Sequence, residues 1–155
     1  MRTAEQGTRP ALELQGLHCG LLLTCSTDLI HVGVQMAFMF ENLQVYQKAV
    51  DFADETASIT ETFPRGYYFL VDQLNRAALS IAANLAEGNS RFTKPDRKNF
   101  FVIARGLAQE CVPLLEIASR RGFLAHEKHV EMKSRLEEIA RMISGLINGM
   151  DKREC

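Results

Sequence analysis

The 155-residue chain contains no tryptophan, only four prolines, and no uninterrupted apolar run of the length that a bilayer requires. A membrane-spanning helix needs about 20 mostly apolar residues. The most apolar region, residues 17–40, is broken by polar residues such as Asp28 and Gln35. The short run Leu21–Leu23 is followed by no clean cleavage site between small residues, so a signal peptide is a poor fit. These features predict a cytoplasmic protein with no membrane partner.

Excess charge and paired cysteines are also missing. The formal net charge is −1, so no global field draws the chain toward nucleic acid or an anionic membrane. The four cysteines, Cys19, Cys25, Cys111 and Cys155, have no CxxC pair and no zinc-site spacing. We expect all four to be reduced, and Cys111, on an expected core face, to act as a small hydrophobe.

Motifs for catalysis are missing as well. No GxxxxGK[ST], GxGxxG, HExxH or GxSxG element occurs. His126 and His129 have a spacing at which two imidazoles can share a metal, but no further ligand is evident. Glu110 stands among apolar neighbours, where a carboxylic acid can acquire a raised pKa, although a role as buried partner of Arg76 or Arg105 is favoured. The sequence predicts no catalytic residue, metal or cofactor.

The first 38 residues differ from the rest of the chain because they show no sustained helix or strand periodicity. Met36 and Met39 are both candidate true starts, so residues 1–38 could be upstream sequence translated from a start codon placed too early. The alternatives are a weakly ordered arm, or a strand pair built on Leu21–Thr24 and Leu29–Val34. Residues 151–155 are expected to form a short tail.

Residues 39–150 carry strong helical periodicity and predict an all-α domain. Apolar residues recur at steps of three and four in four segments, residues 42–62, 67–87, 93–121 and 126–148. Short loops between long helices make neighbours antiparallel, so we predict an up-down-up-down four-helix bundle. Its predicted core consists of Val45, Ala49, Phe52, Thr56, Ile59, Phe63, Leu70, Leu74, Ala77, Ile81, Leu85, Phe100, Ala104, Leu107, Cys111, Leu114, Ala118, Met132, Leu136, Ile139, Ile143, Leu146 and Met150.

The second predicted helix has two further rows besides its core residues. The alanine row is Ala78, Ala82 and Ala86, and small side chains at this spacing let another helix approach closely. Either this helix is simply central in a monomer, or its alanine row contacts a second subunit; the homo-oligomer is favoured. The polar row is Gln73, Arg76, Ser80, Asn84 and Glu87. It is either a hydrogen-bonded network that fixes helix register or a contact with a ligand or nucleic acid, and the network is favoured.

Positive charge is concentrated in the middle of the chain. Residues 65–105 hold seven cations against three carboxylates. Four of these cations, Arg91, Lys94, Arg97 and Lys98, cluster around the connection between the second and third predicted helices, beside Phe92. Such a basic loop can bind phosphates, and repetition around an oligomer would strengthen it. A solvated helix start with no ligand is the commoner explanation of such a cluster.

Several motifs resemble those of the four-helix-bundle family that includes the 23S rRNA intervening-sequence protein. The resemblance covers residues 40–150 and rests on four runs: residues 73–88 (QLNRAALSIAANLAEG), residues 40–49 (FENLQVYQKA), Phe63-Pro64, and residues 104–110 (ARGLAQE). Leu107 and Ala82 depart from the pattern, since the family often has serine at the first position and proline or serine at the second. The resemblance assigns Arg105 and Glu110, with the polar row, to a family-motif polar network.

The family resemblance implies a small bundle that assembles into a pentameric ring with a central channel. Some members are encoded inside ribosomal RNA insertions, and a related accessory protein of diversity-generating retroelements associates with a reverse transcriptase and nucleic acid. The expected function is therefore a non-enzymatic oligomeric module that binds RNA, DNA or a nucleic-acid-processing protein through the basic loop. The alternative is a ligand-binding or enzymatic bundle that uses Glu110, Arg76 and Asn84.

Overall fold

Four α-helices with short connections make up residues 38–152, the part of the chain that this computed structural model describes. They are α1 (Gln44–Thr60), α2 (Tyr68–Ser90), α3 (Lys94–Arg120) and α4 (His126–Asp151), preceded by a 3₁₀ turn at Met39–Asn42. The predictions for residues 1–38 lie outside the described residues, apart from Phe38. The predicted tail, residues 151–155, is described only at Asp151, which ends α4, and at Lys152.

Local chemistry explains most of the helix boundaries. The Thr93 hydroxyl accepts a hydrogen bond from the Asp96 backbone N–H at 3.3 Å, so threonine caps the start of α3. Gly66 and Gly122 have positive φ angles of 102° and 75°, and both lie in the turns that follow α1 and α3. The helical pattern also passes through Pro113, which lies inside α3.

The second helix was predicted to end just before Gly88, a residue type that often closes helices, but α2 continues to Ser90. The glycine serves a different purpose, because a Cβ atom built there would lie 2.7 Å from a ring carbon of Phe101. Gly88 therefore permits close approach of α2 to α3. Its φ angle is not positive, so it does not close the helix in a left-handed conformation.

Contacts between helices show the predicted antiparallel bundle. Asn75 Nδ2 of α2 donates to the Thr60 hydroxyl of α1 at 2.8 Å, which places the end of α1 beside the first half of α2. Lys98, early in α3, contacts Asp151 at the end of α4. The four-helix up-down-up-down prediction is thus confirmed, and all the predicted core residues of α2 are buried.

The predicted core of α3 was partly wrong, because its buried face is rotated by one residue at half of the positions. Phe100, Leu107 and Leu114 are only half-buried, whereas the next residue along the chain is buried in each case. The same shift occurs in α1 and α4, where Ile59 and Leu146 are half-buried and the next residue is buried, and Met150 is also half-buried. The buried residues that the prediction missed are Thr60, Ala78, Ala82, Gly88, Phe101, Ala108, Leu115, Leu124, His129 and Ile147.

The alanine row was assigned to a contact between subunits, and this assignment is wrong at two of its three positions. Ala78 and Ala82 are 0% and 5% exposed within the single chain, because α2 packs between α1 and α3. Neither side chain is accessible to a second subunit, and only Ala86 is half-buried. The small side chains let α2 approach its neighbours inside the same bundle.

None of the helices between residues 38 and 152 combines the length and the apolar character that crossing a bilayer requires.

Candidate functional site

The basic loop joins the end of α2 to the start of α3, and its cations are engaged within the protein. Arg91 leaves α2 with extended backbone angles and forms an ion pair with Glu87, one turn earlier. Its guanidinium carbon also lies 4.8 Å from the centre of the Phe100 ring. This arrangement fixes Arg91 by an ion pair and a cation–π contact.

The other cations of the basic loop lie on the first turns of α3. Arg97 is half-buried and donates from Nη2 to the Arg91 carbonyl at 2.9 Å. Lys98 lies 2.7 Å from an Asp151 carboxylate oxygen, while Lys94 is exposed. Glu87 and Asp151 therefore neutralise part of the basic loop, which the sequence had not indicated for Asp151, 53 residues away from Lys98.

Phe92 is the most exposed large apolar side chain of this loop. Its ring is fully exposed, although it lies in a connection of only three residues between two long helices. The Arg91 contacts hold the residue before it, and the Thr93 cap holds the residue after it. The loop therefore presents an aromatic face to solvent on a backbone fixed from both sides.

The polar row forms separate local pairs and one link between helices. Gln73 Nε2 donates to a carboxylate oxygen of Glu110 at 2.5 Å, which joins α2 to α3. Asn84 donates to the Ser80 backbone carbonyl at 2.8 Å. The predicted network is therefore discontinuous, and the partner of Glu110 is Gln73, where Arg76 or Arg105 had been expected.

Arg76 pairs with Asp72 at 2.5 Å on the exposed side of α2. Ser80 lies one turn later along α2, but the hydrogen bond of Arg76 is to Asp72, one turn earlier. Arg76, Asn84 and Glu110 thus bond three different partners, and their contacts do not assemble them into one site.

Arg105 belongs to a groove that the sequence analysis missed. The groove has a volume of about 580 Å³ and lies between α3 and α4. Its lining combines two guanidinium groups with amide, hydroxyl and backbone groups, from Arg105, Gln109, Ala140, Arg141, Ser144, Gly145 and Asn148. A signal was present for Arg105, since no acidic residue stands three or four positions from it in the sequence.

Two other candidates have local structural partners. Cys111 is buried, and burial raises the pKa of its thiol to about 12, with the Glu110 charge adding to the effect, so it remains a neutral apolar group as predicted. His129 is 9% exposed, and its Nε2 lies 3.3 Å from a Glu116 oxygen. No group of three potential metal ligands, around His129 or elsewhere, occurs within residues 38–152.

Comparison with known proteins places this bundle in a family. The family model for the 23S rRNA-intervening sequence protein matches residues 41–145. A crystal structure from Bacteroides thetaiotaomicron, of a protein with unknown function from the S23 ribosomal protein family, superposes with a TM-score of 0.62 and 23% identity. The match covers 66% of this chain and 97% of that one, and it shows the same fold. No curated protein matches the sequence. The match over residues 41–145 shows that this chain belongs to the 23S rRNA-intervening sequence protein family.

Proposed function

We propose that this protein is a non-enzymatic helical module that binds nucleic acid through the basic loop between α2 and α3. The observation that carries the proposal is the fully exposed Phe92 between two cationic residues, Arg91 and Lys94. Aromatic rings stack on unpaired bases, and each such contact contributes about 1–3 kcal/mol to binding. Neighbouring cations contribute the salt-dependent attraction to phosphates.

The bracing of this loop supports the proposal. An exposed phenylalanine in a three-residue connection gains nothing from burial, yet the backbone on both sides of Phe92 is fixed. A ring carried on a fixed backbone loses less conformational freedom when a base stacks on it than a ring on a mobile loop, which favours binding. Glu87 and Asp151 neutralise part of the charge of the basic loop, so its attraction to phosphates is weaker than the count of four cations implies. We therefore expect stacking on Phe92 to contribute the larger share of the binding free energy.

The test is fluorescence anisotropy with labelled 20-nucleotide RNA and DNA, each single-stranded and double-stranded. Phe92→Ala should weaken binding of single strands by about tenfold or more, as expected for loss of one stacked base. The matched control is Phe69→Ala, which removes a second exposed phenylalanine, 67% exposed, from the start of α2. Equal effects of the two variants, or no binding by the unmodified protein, would refute the proposal. If no strand binds but a nucleic-acid-processing protein does, and if Phe92→Ala weakens that binding, the loop would be assigned to the protein partner.

We also propose that the protein self-associates through the apolar residues Val102, Ile103 and Ile117 on the outward face of α3, and not through the alanine row. The exposed residues of α3 between positions 102 and 117 are all uncharged: Val102, Ile103, Gly106, Gln109, Pro113 and Ile117. Three of them are branched apolar residues between 41% and 42% exposed. Burying such a face against a second copy is favourable at about 25 cal/mol per Å². The family resemblance favours a ring of five copies, which light scattering at micromolar concentration would measure.

The contacts of Arg76, Asn84 and Glu110 give less support to the alternative, a ligand-binding or enzymatic bundle. Each of these side chains is bonded to a different nearby group, and Arg76 is exposed. The proposed function therefore assigns Glu110, through Gln73, to holding α2 and α3 in register, whereas the contacts of Arg76 and Asn84 lie within α2.

A further inference from the structure

The groove between α3 and α4 contains two arginines that have no carboxylate partner. Arg105 forms no ion pair with any residue from 38 to 152, and the contact of Arg141 is a 3.4 Å hydrogen bond from Nε to the Glu137 backbone carbonyl. The two residues are 36 positions apart in the sequence and line the same groove because α3 and α4 run antiparallel.

The cations of the basic loop differ from these two in a way that matters for binding an anion. Arg91 and Lys98 are paired with Glu87 and Asp151, so an incoming phosphate must compete with a carboxylate. In the groove, no acidic residue is among the lining residues. Two like charges beside one another repel, and an anion bound between them removes that repulsion.

The other lining groups are also suited to an anion. Gln109 and Asn148 carry amide N–H donors, whereas the Ser144 hydroxyl donates to the Ala140 backbone carbonyl at 2.8 Å and can only accept from a protonated ligand. Gly145 adds bare backbone, since a Cβ atom built there would meet nothing within 4 Å. A ligand can approach the helix closely at such a position. Guanidinium groups bind phosphate with paired hydrogen bonds, and phosphate oxygens accept from amides as well.

We infer that the groove between α3 and α4 is a phosphate-binding site, with Arg105 and Arg141 as its charged ligands. The phosphate belongs to the backbone of a nucleic-acid strand or to a small phosphorylated molecule. The assignment to a strand rests on the proposed function, whereas the binding of phosphate itself does not. The basic loop and the groove share α3, so a strand whose base stacks on Phe92 has a second contact along the same helix.

The experiment compares the unmodified full chain with the double variant Arg105→Gln/Arg141→Gln. The first probe is the labelled single strand, measured by anisotropy over a range of salt concentrations. The second probe is inorganic pyrophosphate, followed through the arginine Nε–H signals in NMR spectra. Arg65→Gln is the matched control, since it removes an exposed cation from the turn between α1 and α2. Circular dichroism verifies that the variants remain helical.

The expected result is that the double variant binds the strand at least about tenfold more weakly, while Arg65→Gln binds normally. The slope of log affinity against log salt should fall by about 0.7 for each arginine removed, because each phosphate contact to a single strand contributes that amount. Shifts of the Arg105 and Arg141 signals by pyrophosphate alone, with no strand bound, would support a site for a small phosphorylated molecule and count against the proposed function.

Two results would overturn the inference. One is strand binding that depends on Phe92 but is unchanged in the double variant, with no response to pyrophosphate; the proposed function would then stand without the groove. The other is the absence of any response of the two arginine signals to either probe. A loss of strand binding in Arg65→Gln equal to that in the double variant would show only general charge attraction, and would also reject the groove.

Discussion

The outward faces of α3 and α4 differ in charge although the two helices pack side by side and have nearly equal lengths. From Val102 to Ile117, every exposed residue of α3 is uncharged. From His126 to Arg141, most exposed residues of α4 are charged: Glu127, Glu131, Lys133, Arg135, Glu137 and Arg141. A helix that faces water ordinarily presents charged and polar residues there, so α4 follows the rule and α3 does not.

Ion pairs give the charged surface of α4 a structural role. Glu55 of α1 is only 19% exposed and forms ion pairs with both Lys128 and Arg135 of α4. Glu131 pairs with the same two cations at 2.9 and 2.8 Å, and hydrogen bonds from Lys128 and then Arg135 lower the pKa of its carboxyl group. Ion pairs therefore attach α4 to α1 as a water-facing helix, whereas the exposed residues on the outward face of α3 carry no charge with which to form such pairs.

The largest effect is expected for Ala82→Arg, which tests whether the alanine row, and not α3, is the contact between subunits. The variant places a charged side chain at a position only 5% exposed, so it should destabilise the fold by roughly 4 kcal/mol or more. Ala83→Arg, at the exposed neighbouring position, should change stability by less than about 0.5 kcal/mol. Urea unfolding followed by circular dichroism measures both. A stable, helical Ala82→Arg protein that merely dissociates would restore the alanine row as the interface.

The next test concerns the rotation of α3, which decides which of its faces points outward. Leu115 is 1% exposed and its neighbour Leu114 is half-buried. Leu115→Ala should lower the free energy of unfolding by about 2–5 kcal/mol, because it leaves a cavity in the core. Leu114→Ala should cost about 1 kcal/mol, since less apolar surface is lost. Equal costs in urea unfolding would show that the outward face of α3 has been placed incorrectly.

No loss of folding stability is expected from substitutions at the outward faces themselves, where the same substitution can be made on both helices. Val102 of α3 is 41% exposed and Val130 of α4 is 52% exposed. Val102→Arg should weaken self-association about a hundredfold, equivalent to ~2.8 kcal/mol, by placing a charge in the proposed interface. Val130→Arg should leave it unchanged. Sedimentation equilibrium provides the dissociation constants, and an unmodified protein that is monomeric at micromolar concentration would contradict the proposed role of α3.

Helical periodicity was sufficient to predict the fold but not the orientation of every helix about its axis. All the predicted core positions of α2 were correct, because Leu74, Ile81 and Leu85 each stand between small or polar residues. In α3, apolar residues occur in adjacent pairs such as Phe100-Phe101 and Leu114-Leu115. Either member of such a pair fits a helical period, so packing against α2 and α4 had to choose between them. Gly88 resolves one pair, since Phe101 fills the space that a larger residue would occupy.

The candidate site shows the same division. The clustering of Arg91, Lys94, Arg97 and Lys98 was evident from the sequence because these residues are near neighbours in the chain. The pairing of Lys98 with Asp151, and the placing of Arg105 and Arg141 in one groove, depend on the antiparallel contact of α3 with α4. Sequence spacing reports neighbours within one helix, three or four residues apart, but it contains no direct information on pairs from different helices.

By itself, the sequence determined that residues 39–150 form four antiparallel helices, because period, capping residues and short loops act locally along the chain. Its run from Gln73 to Gly88 also indicated the family. Only the tertiary structure decided that Ala78 and Ala82 are internal, that the basic loop is partly neutralised, and that Arg105 and Arg141, which form no ion pair within residues 38–152, line one groove. These features depend on which helix faces which, and that is set by packing of the whole core at once, where side-chain volumes from several helices must fit together without cavities.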